Sequence, residues 1–221
     1  MQLWLDTADI TAIQRAQESG LLYGVTTNPS ILAATKQPPK EIIQQILTVQ
    51  PGLLAVQVTA NTVTEMVKQA QHLRHINSRI IIKMPVSPAG YQAMVHLAQQ
   101  KIPVMATAIF TPQQVLLSGL TKAIYAAPYL SHIAEQQGEY VDTLKIMLDV
   151  IRQQQLDLKI IAASIKNATE VTQCALLGVH AITLPSAVWE QLFALHPATC
   201  AALAGFAQHW SGVVKGEELF A

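Results

Sequence analysis

Charge is what this chain is short of. Only 13% of its 221 residues are Asp, Glu, Lys or Arg, against roughly 25% in an ordinary soluble domain. The 14 basic and 14 acidic residues balance, which argues against a nucleic-acid-binding face or an acidic partner tail. With 51% hydrophobic residues, so little charge predicts extensive contacts between subunits. Cysteine is scarce too. Cys174 and Cys200 fall on helical segments, match no metal-ligand spacing and read as packed thiols. His72 and His75 share a helix face but lack a third ligand, so no metal is expected. No basic region or apolar core precedes Asp6, so no signal peptide is expected. The uncharged stretches 102–121, 171–189 and 191–214 are broken by proline and polar residues. They read as buried core, not membrane spans, with the cytoplasm as the expected location.

What is present is regular alternation. Short apolar runs at 2–6, 23–26, 53–59, 80–84, 104–109, 123–127, 159–163 and 181–184 are separated by segments of helical period. In 62–75, for instance, Val63, Met66, Val67, Ala70 and Leu73 fall on one face. Eight strands with intervening helices and no linker predict a parallel sheet. Its natural closure is an α/β fold of the (β/α)8 TIM-barrel type over residues 1–221. An open doubly wound sheet would need a Gly-rich phosphate turn after an early strand, and none is present.

Barrels of this kind keep their chemistry at the C-terminal ends of the strands. There the chain carries Asp6, Thr26 with Asn28, Gln57 with Thr59, Lys83, Thr107, Ala127 with Tyr129, and Ser164 with Lys166. Lys83 stands out as the only charged residue in Ile80-Ile81-Ile82-Lys83-Met84-Pro85-Val86. Burial disfavours the ammonium form, and a lysine that sheds its proton is an amine nucleophile. The competing reading is a lysine snorkelling from a strand end. Plainer roles exist for others as well. Asn28 before Pro29 is a ready helix N-cap, Thr107 satisfies backbone groups, and Tyr129 packs a loop. Asp6 ends a buried strand and needs a partner, either a capped segment or the lysine.

These residues lie in motifs that resemble a known family. Leu5-Asp6-Thr7, Gly24-Val25-Thr26-Thr27-Asn28-Pro29-Ser30, Ile82-Lys83-Met84-Pro85-Val86 and Ala162-Ala163-Ser164 are similar, in order and over the whole chain, to the transaldolase family. The likeness is to its short branch, which includes fructose-6-phosphate aldolase. That resemblance implies a (β/α)8 barrel and Schiff-base chemistry with no metal and no cofactor. Lys83 would form an iminium with a ketose and allow cleavage between C3 and C4. Asp6 would handle the proton of the C4 hydroxyl, and Asn28 would orient donor hydroxyls. Gln57, Ala127 and Tyr129 follow the aldolase pattern, where transaldolases carry glutamate, serine and phenylalanine. By that likeness Tyr129, Gln57 and Thr107 would hold the water that shuttles protons. Two alternatives stay open: a transaldolase passing dihydroxyacetone between sugar phosphates, and a barrel that binds sugar without catalysis.

One position departs from the family. His132 stands where an arginine usually binds the sugar phosphate, while Ser164 and Lys166 occupy places like the rest of that subsite. Histidine lacks the permanent charge and bidentate fork of arginine. The resemblance also implies that a C-terminal helix and tail, 198–221, pack onto a neighbouring subunit in pentamers that pair into decamers.

Overall fold

The computed structural model describes residues 1–213 and shows the closed eight-stranded parallel barrel expected from the alternation, with strands paired in sequence order and β8 returning to β1. The strands are β1 Gln2–Asp6, β2 Leu22–Thr26, β3 Leu53–Gln57, β4 Ile80–Pro85, β5 Val104–Ile109, β6 Tyr125–Pro128, β7 Lys159–Ala162 and β8 Ala181–Leu184. Around them run α1 Ile10–Glu18, α2 Pro29–Ala34, α3 Pro39–Val49, α4 Val63–Ile76, α5 Pro88–Gln99, α6 Pro112–Leu120, α7 Leu130–Gln137, α8 Val141–Gln153, α9 Ala168–Leu176 and α10 Ser186–Phe193. A further helix, α11 Pro197–Val213, extends the chain. Residues 214–221 of the expected tail lie outside the described residues.

Several strand boundaries differ from expectation by one residue, and two differ by two. Strand six begins at Tyr125, because Lys122 turns at φ 67° after the helix and Ala123 hydrogen-bonds back to Ser118. Thr59 lies beyond β3, where Gln69 of α4 binds its backbone N–H and hydroxyl at 2.9 and 3.1 Å. Cys174 is buried as expected, and burial pushes its thiol up to about 12. Cys200 is exposed on α11, which corrects its reading as a packed thiol.

Strand alternation sorts the side chains into two cores. Leu5, Val25, Leu54, Val56, Ile80, Ile82, Met84 and Ile160 face the helices in one large cluster. The alternate residues Trp4, Ala55, Ile81, Met105, Tyr125, Ala127, Ile161 and Ala181 fill the barrel itself. Trp4 packs edge-on against Tyr125 at 5.6 Å between ring centroids. The ring leaves no room for a larger residue at Gly24, where a Cβ would lie 2.7 Å from both the indole and the Leu53 carbonyl.

The helices that follow the strands start with their own caps. Asn28-Pro29, Ser87-Pro88 and Thr111-Pro112 each place a capping side chain before proline, and Thr111 with Gln114 forms a reciprocal capping box. The opposite rim is tied by side chains that reach backbone carbonyls. Arg79 donates to Gln50 and Gly52 at 2.6 and 3.2 Å.

On that lower rim His180 accepts the Ile160 N–H through Nδ1 at 3.1 Å, while its carbonyl accepts the Gln2 N–H at 2.9 Å. It therefore joins β7, β8 and β1. Burial lowers its pKa from the ordinary 6.5, helped by Lys159 and the Met1 amino group. The unfolded chain binds this proton first, so the histidine's contribution is complete above about pH 6.5 and is lost as the pH falls from there toward the folded value. The melting temperature should fall over this window, and His180→Gln should flatten that part of the profile. An unchanged slope would show that His180 is not the group responsible.

Candidate active site

The polar residues at the mouth are the next inward positions above the apolar plug. Two residues after Trp4, Ala55, Ile81, Met105 and Ala181 stand Asp6, Gln57, Lys83, Thr107 and Thr183. Tyr129 stands two after Ala127, and Thr26 two after Gly24. Period-two geometry thus stacks a polar layer directly on a dry one.

Lys83 is 3% exposed. Its Nζ donates to the Thr27 carbonyl at 3.3 Å, and Arg152 with Asp149, on the outer surface, is the only ion pair among the described residues. Lys83 is thus buried with no carboxylate in ion-pair contact among the described residues. The snorkelling alternative does not fit, because the amine stays inside. Gln57 sits beside it, paired in register on β3. Thr27 is itself locked, its hydroxyl donating to the Ala55 carbonyl at 3.0 Å.

Asp6 neither caps a helix nor ion-pairs with the lysine. Its Oδ1 accepts the Thr26 hydroxyl at 2.6 Å, and the Thr26 oxygen lies 2.7 Å from that of Thr183. Asn28 does cap α2, accepting the Ile31 N–H at 2.9 Å through Oδ1, and its Nδ2 has no protein partner among the described residues. Capping therefore fixes the amide plane and leaves a donor for a ligand. A cleft of about 420 Å³ opens from Asp6 and Thr7 toward Ile31, Ala34 and Thr35.

On the far wall Thr107 and Tyr129 share a hydrogen bond of 3.1 Å. The Tyr129 ring packs edge-on against Phe110, with centroids 5.8 Å apart, and leans on the His132 ring at 5.8 Å. Ala127 is buried beside them and registers with Thr107. Ser164 contacts the Ser131 hydroxyl and lies 3.2 Å from His132 Nδ1. The structure thus joins Ser164 to His132 but leaves Lys166 exposed, its backbone N–H held by the Glu170 carboxylate at 2.8 Å.

Backbone strain marks the same rim. Lys36, Lys101, Lys122 and Gln155 take positive φ just after helix C-caps, an ordinary termination. Ala108 at φ 60° and Ser164 at φ 61° do not follow helices. Each costs on the order of 1–2 kcal/mol relative to extended backbone. At Ala108 the β5–β6 register slips. Thr107 faces the barrel while Ile109, which alternation would also turn inward, packs against the helices.

Sequence reasoning passed over Thr183, Thr27, Ser131 and Phe110. Thr183 had a signal, being the one polar residue in Ala181-Ile182-Thr183-Leu184 and in phase with Ala181. The others act through a carbonyl, a rotated hydroxyl and a ring edge, none of which has a spacing rule.

The chain matches the family model described as Transaldolase/Fructose-6-phosphate aldolase over residues 3–212. It is 32% identical over 213 residues to a protein of Aquifex aeolicus named "Probable transaldolase", covering 96% of this chain and 98% of that one. Proteins of the same name from Coprothermobacter proteolyticus and Geobacter sulfurreducens are 35% and 34% identical, covering 96% and 97% of this chain and 98% and 100% of theirs. Among solved structures, a flavocytochrome b2 variant with sulfite bound superposes with a TM-score of 0.60 at 11% identity, covering 84% of this chain and 56% of that one. A mandelate oxidase mutant gives 0.58 at 12% identity, covering 80% and 59%. These distant structures share the barrel alone.

Proposed function

Since the chain belongs to the transaldolase/fructose-6-phosphate aldolase family, we propose that it is a metal-independent, cytoplasmic Schiff-base aldolase that makes or breaks the C3–C4 bond of a ketose. The observation that carries this reading is Lys83, buried in the barrel mouth with no carboxylate in ion-pair contact. Its free amine attacks the C2 carbonyl, water leaves, and an iminium remains. Asp6 takes the proton of the C4 hydroxyl as the C3–C4 bond breaks, and the bonding electrons pass into the enamine. The aldehyde departs. Protonation at C3 and hydrolysis then release dihydroxyacetone and restore the amine. Asn28, with its oxygen committed to the cap, offers Nδ2 to the donor hydroxyls.

The Tyr129–Thr107 pair favours the lyase over the transferase. A phenol beside the enamine, with Gln57 nearby, supports a proton relay that a phenyl ring lacks. The transferase remains the second reading because the curated relatives carry the name "Probable transaldolase". Ser164, His132 and Lys166 are the groups proposed to meet a phosphate at the outer end. The residues 198–221 are proposed to pack on a neighbouring subunit in a pentamer or decamer, and Leu203, Phe206 and Trp210 on α11 are exposed in the single chain.

Borohydride reduction with dihydroxyacetone should leave a stable adduct on the peptide containing Lys83, and Lys83→Met should abolish both adduct and cleavage. An adduct elsewhere, or cleavage by the variant, would refute the mechanism.

Fructose 6-phosphate without an acceptor aldehyde should release free dihydroxyacetone, and Tyr129→Phe should cut that release by at least about tenfold while sparing transfer to an added acceptor. Strict dependence of the wild type on an acceptor would favour the transferase.

His132→Arg should lower the Michaelis constant for fructose 6-phosphate by about ten- to a hundredfold, the worth of one charge-assisted contact. No change would place His132 away from the phosphate. Truncation after Gly205 should reduce the particle mass seen by light scattering, and an unchanged mass would remove the tail from the interface.

A further inference from the structure

We propose that Thr183 is a positioning residue for Asp6, acting through Thr26. Three strands meet at this point. β1 carries Asp6 and lies between β2 with Thr26 and β8 with Thr183. Trp4 registers with Thr183 and Asp6 registers with Thr26. The bond between the two threonines therefore crosses in front of β1, above the indole and beneath the carboxylate.

The hydrogens in this chain can be assigned. A carboxylate only accepts, so Thr26 spends its single hydroxyl hydrogen on Asp6. Its oxygen must then be the acceptor in the contact with Thr183, and Thr183 is the donor. Both threonines are shut off from water, at 0% and 2% exposure. In such surroundings each bond of an O–H···O–H···O⁻ chain polarises the next and is stronger than it would be in water. Packing alone does not call for threonine here. Valine has the same branched shape, and burying a hydroxyl without a partner is unfavourable. The hydroxyl at Thr183 is explained by the chain it starts.

The consequence falls on the carboxylate. With Oδ1 held from below, rotation of Asp6 about its Cβ–Cγ bond is restrained. Oδ2, which has no protein partner among the described residues, remains to receive a proton. An inward-facing base loses effectiveness when it is free to turn, because proton transfer needs a heavy-atom separation of about 2.6–3.2 Å. Thr183 touches no reacting atom and works only by holding the group that does.

This inference rests on the proposed role of Asp6 and is tested with Thr183→Val and Thr183→Ser. The valine variant should keep its Michaelis constant within about twofold while its kcat for ketose cleavage falls about tenfold, the worth of one hydrogen bond to a charged group. The acidic limb of its pH–rate profile should move to higher pH. Serine should restore both. Borohydride trapping of dihydroxyacetone on Lys83, which does not involve the C4 hydroxyl, should proceed to the wild-type extent in all three proteins. If Thr183→Val does not accumulate as folded chain, Thr183→Cys, with its weak donor, is read the same way. A valine or cysteine variant with wild-type kcat and pH profile, or one destabilised without either change, would overturn the proposal. Absence of trapping in the wild type would instead remove the Schiff-base reading on which it stands.

Discussion

The polar layer at the mouth depends on the dryness of what lies beneath it. Trp4, Ile81, Met105, Tyr125 and Ile161 pack the barrel interior with almost no exposure, so Lys83 has hydrocarbon below it and one carbonyl, that of Thr27, as its hydrogen-bond partner. Were the plug looser, water would enter beneath the mouth and the lysine would lose the apolar floor that encloses it. Gly24 is part of the same constraint, since the indole fills the space where another side chain would begin.

Above the plug, rigidity comes from short hydrogen-bonded chains in place of ion pairs. Asp6, Thr26 and Thr183 form one, and Thr107 with Tyr129 forms another across the mouth. Ser131, Ser164 and His132 form a third, further out. The positive-φ backbone at Ala108 and Ser164 lies at the same rim. The barrel wall, with its continuous ladder and capped helices, provides the support that makes such strain tolerable.

Much of this was legible in the residues themselves. Strand alternation and helix period gave the barrel, and strand-end positions gave Asp6, Thr26, Gln57, Lys83, Thr107 and Tyr129, because a parallel barrel leaves few other places for polar groups in apolar runs. The likeness to the transaldolase family through Thr26-Thr27-Asn28-Pro29 and Lys83 agrees with the family match. Less legible were contacts between residues far apart in the chain. Thr183 is 157 positions from Thr26, and Ser131 is 33 from Ser164. The exposure of Cys200 and the withdrawal of Thr59 from β3 also depended on packing that no local pattern records.

The sequence by itself determined which face each strand residue takes, because the two-residue repeat of a strand is a property of the backbone, and with it the placement of a lone lysine above an apolar column. Only the tertiary structure decided what each polar group does there. The aspartate is held by a hydroxyl and is not paired with the lysine, the asparagine caps and still offers a donor, and Lys166 stays outside while His132 joins Ser164. Those outcomes follow from barrel closure, which brings β8 against β1 and sets hydroxyls from opposite ends of the chain within 3 Å of each other.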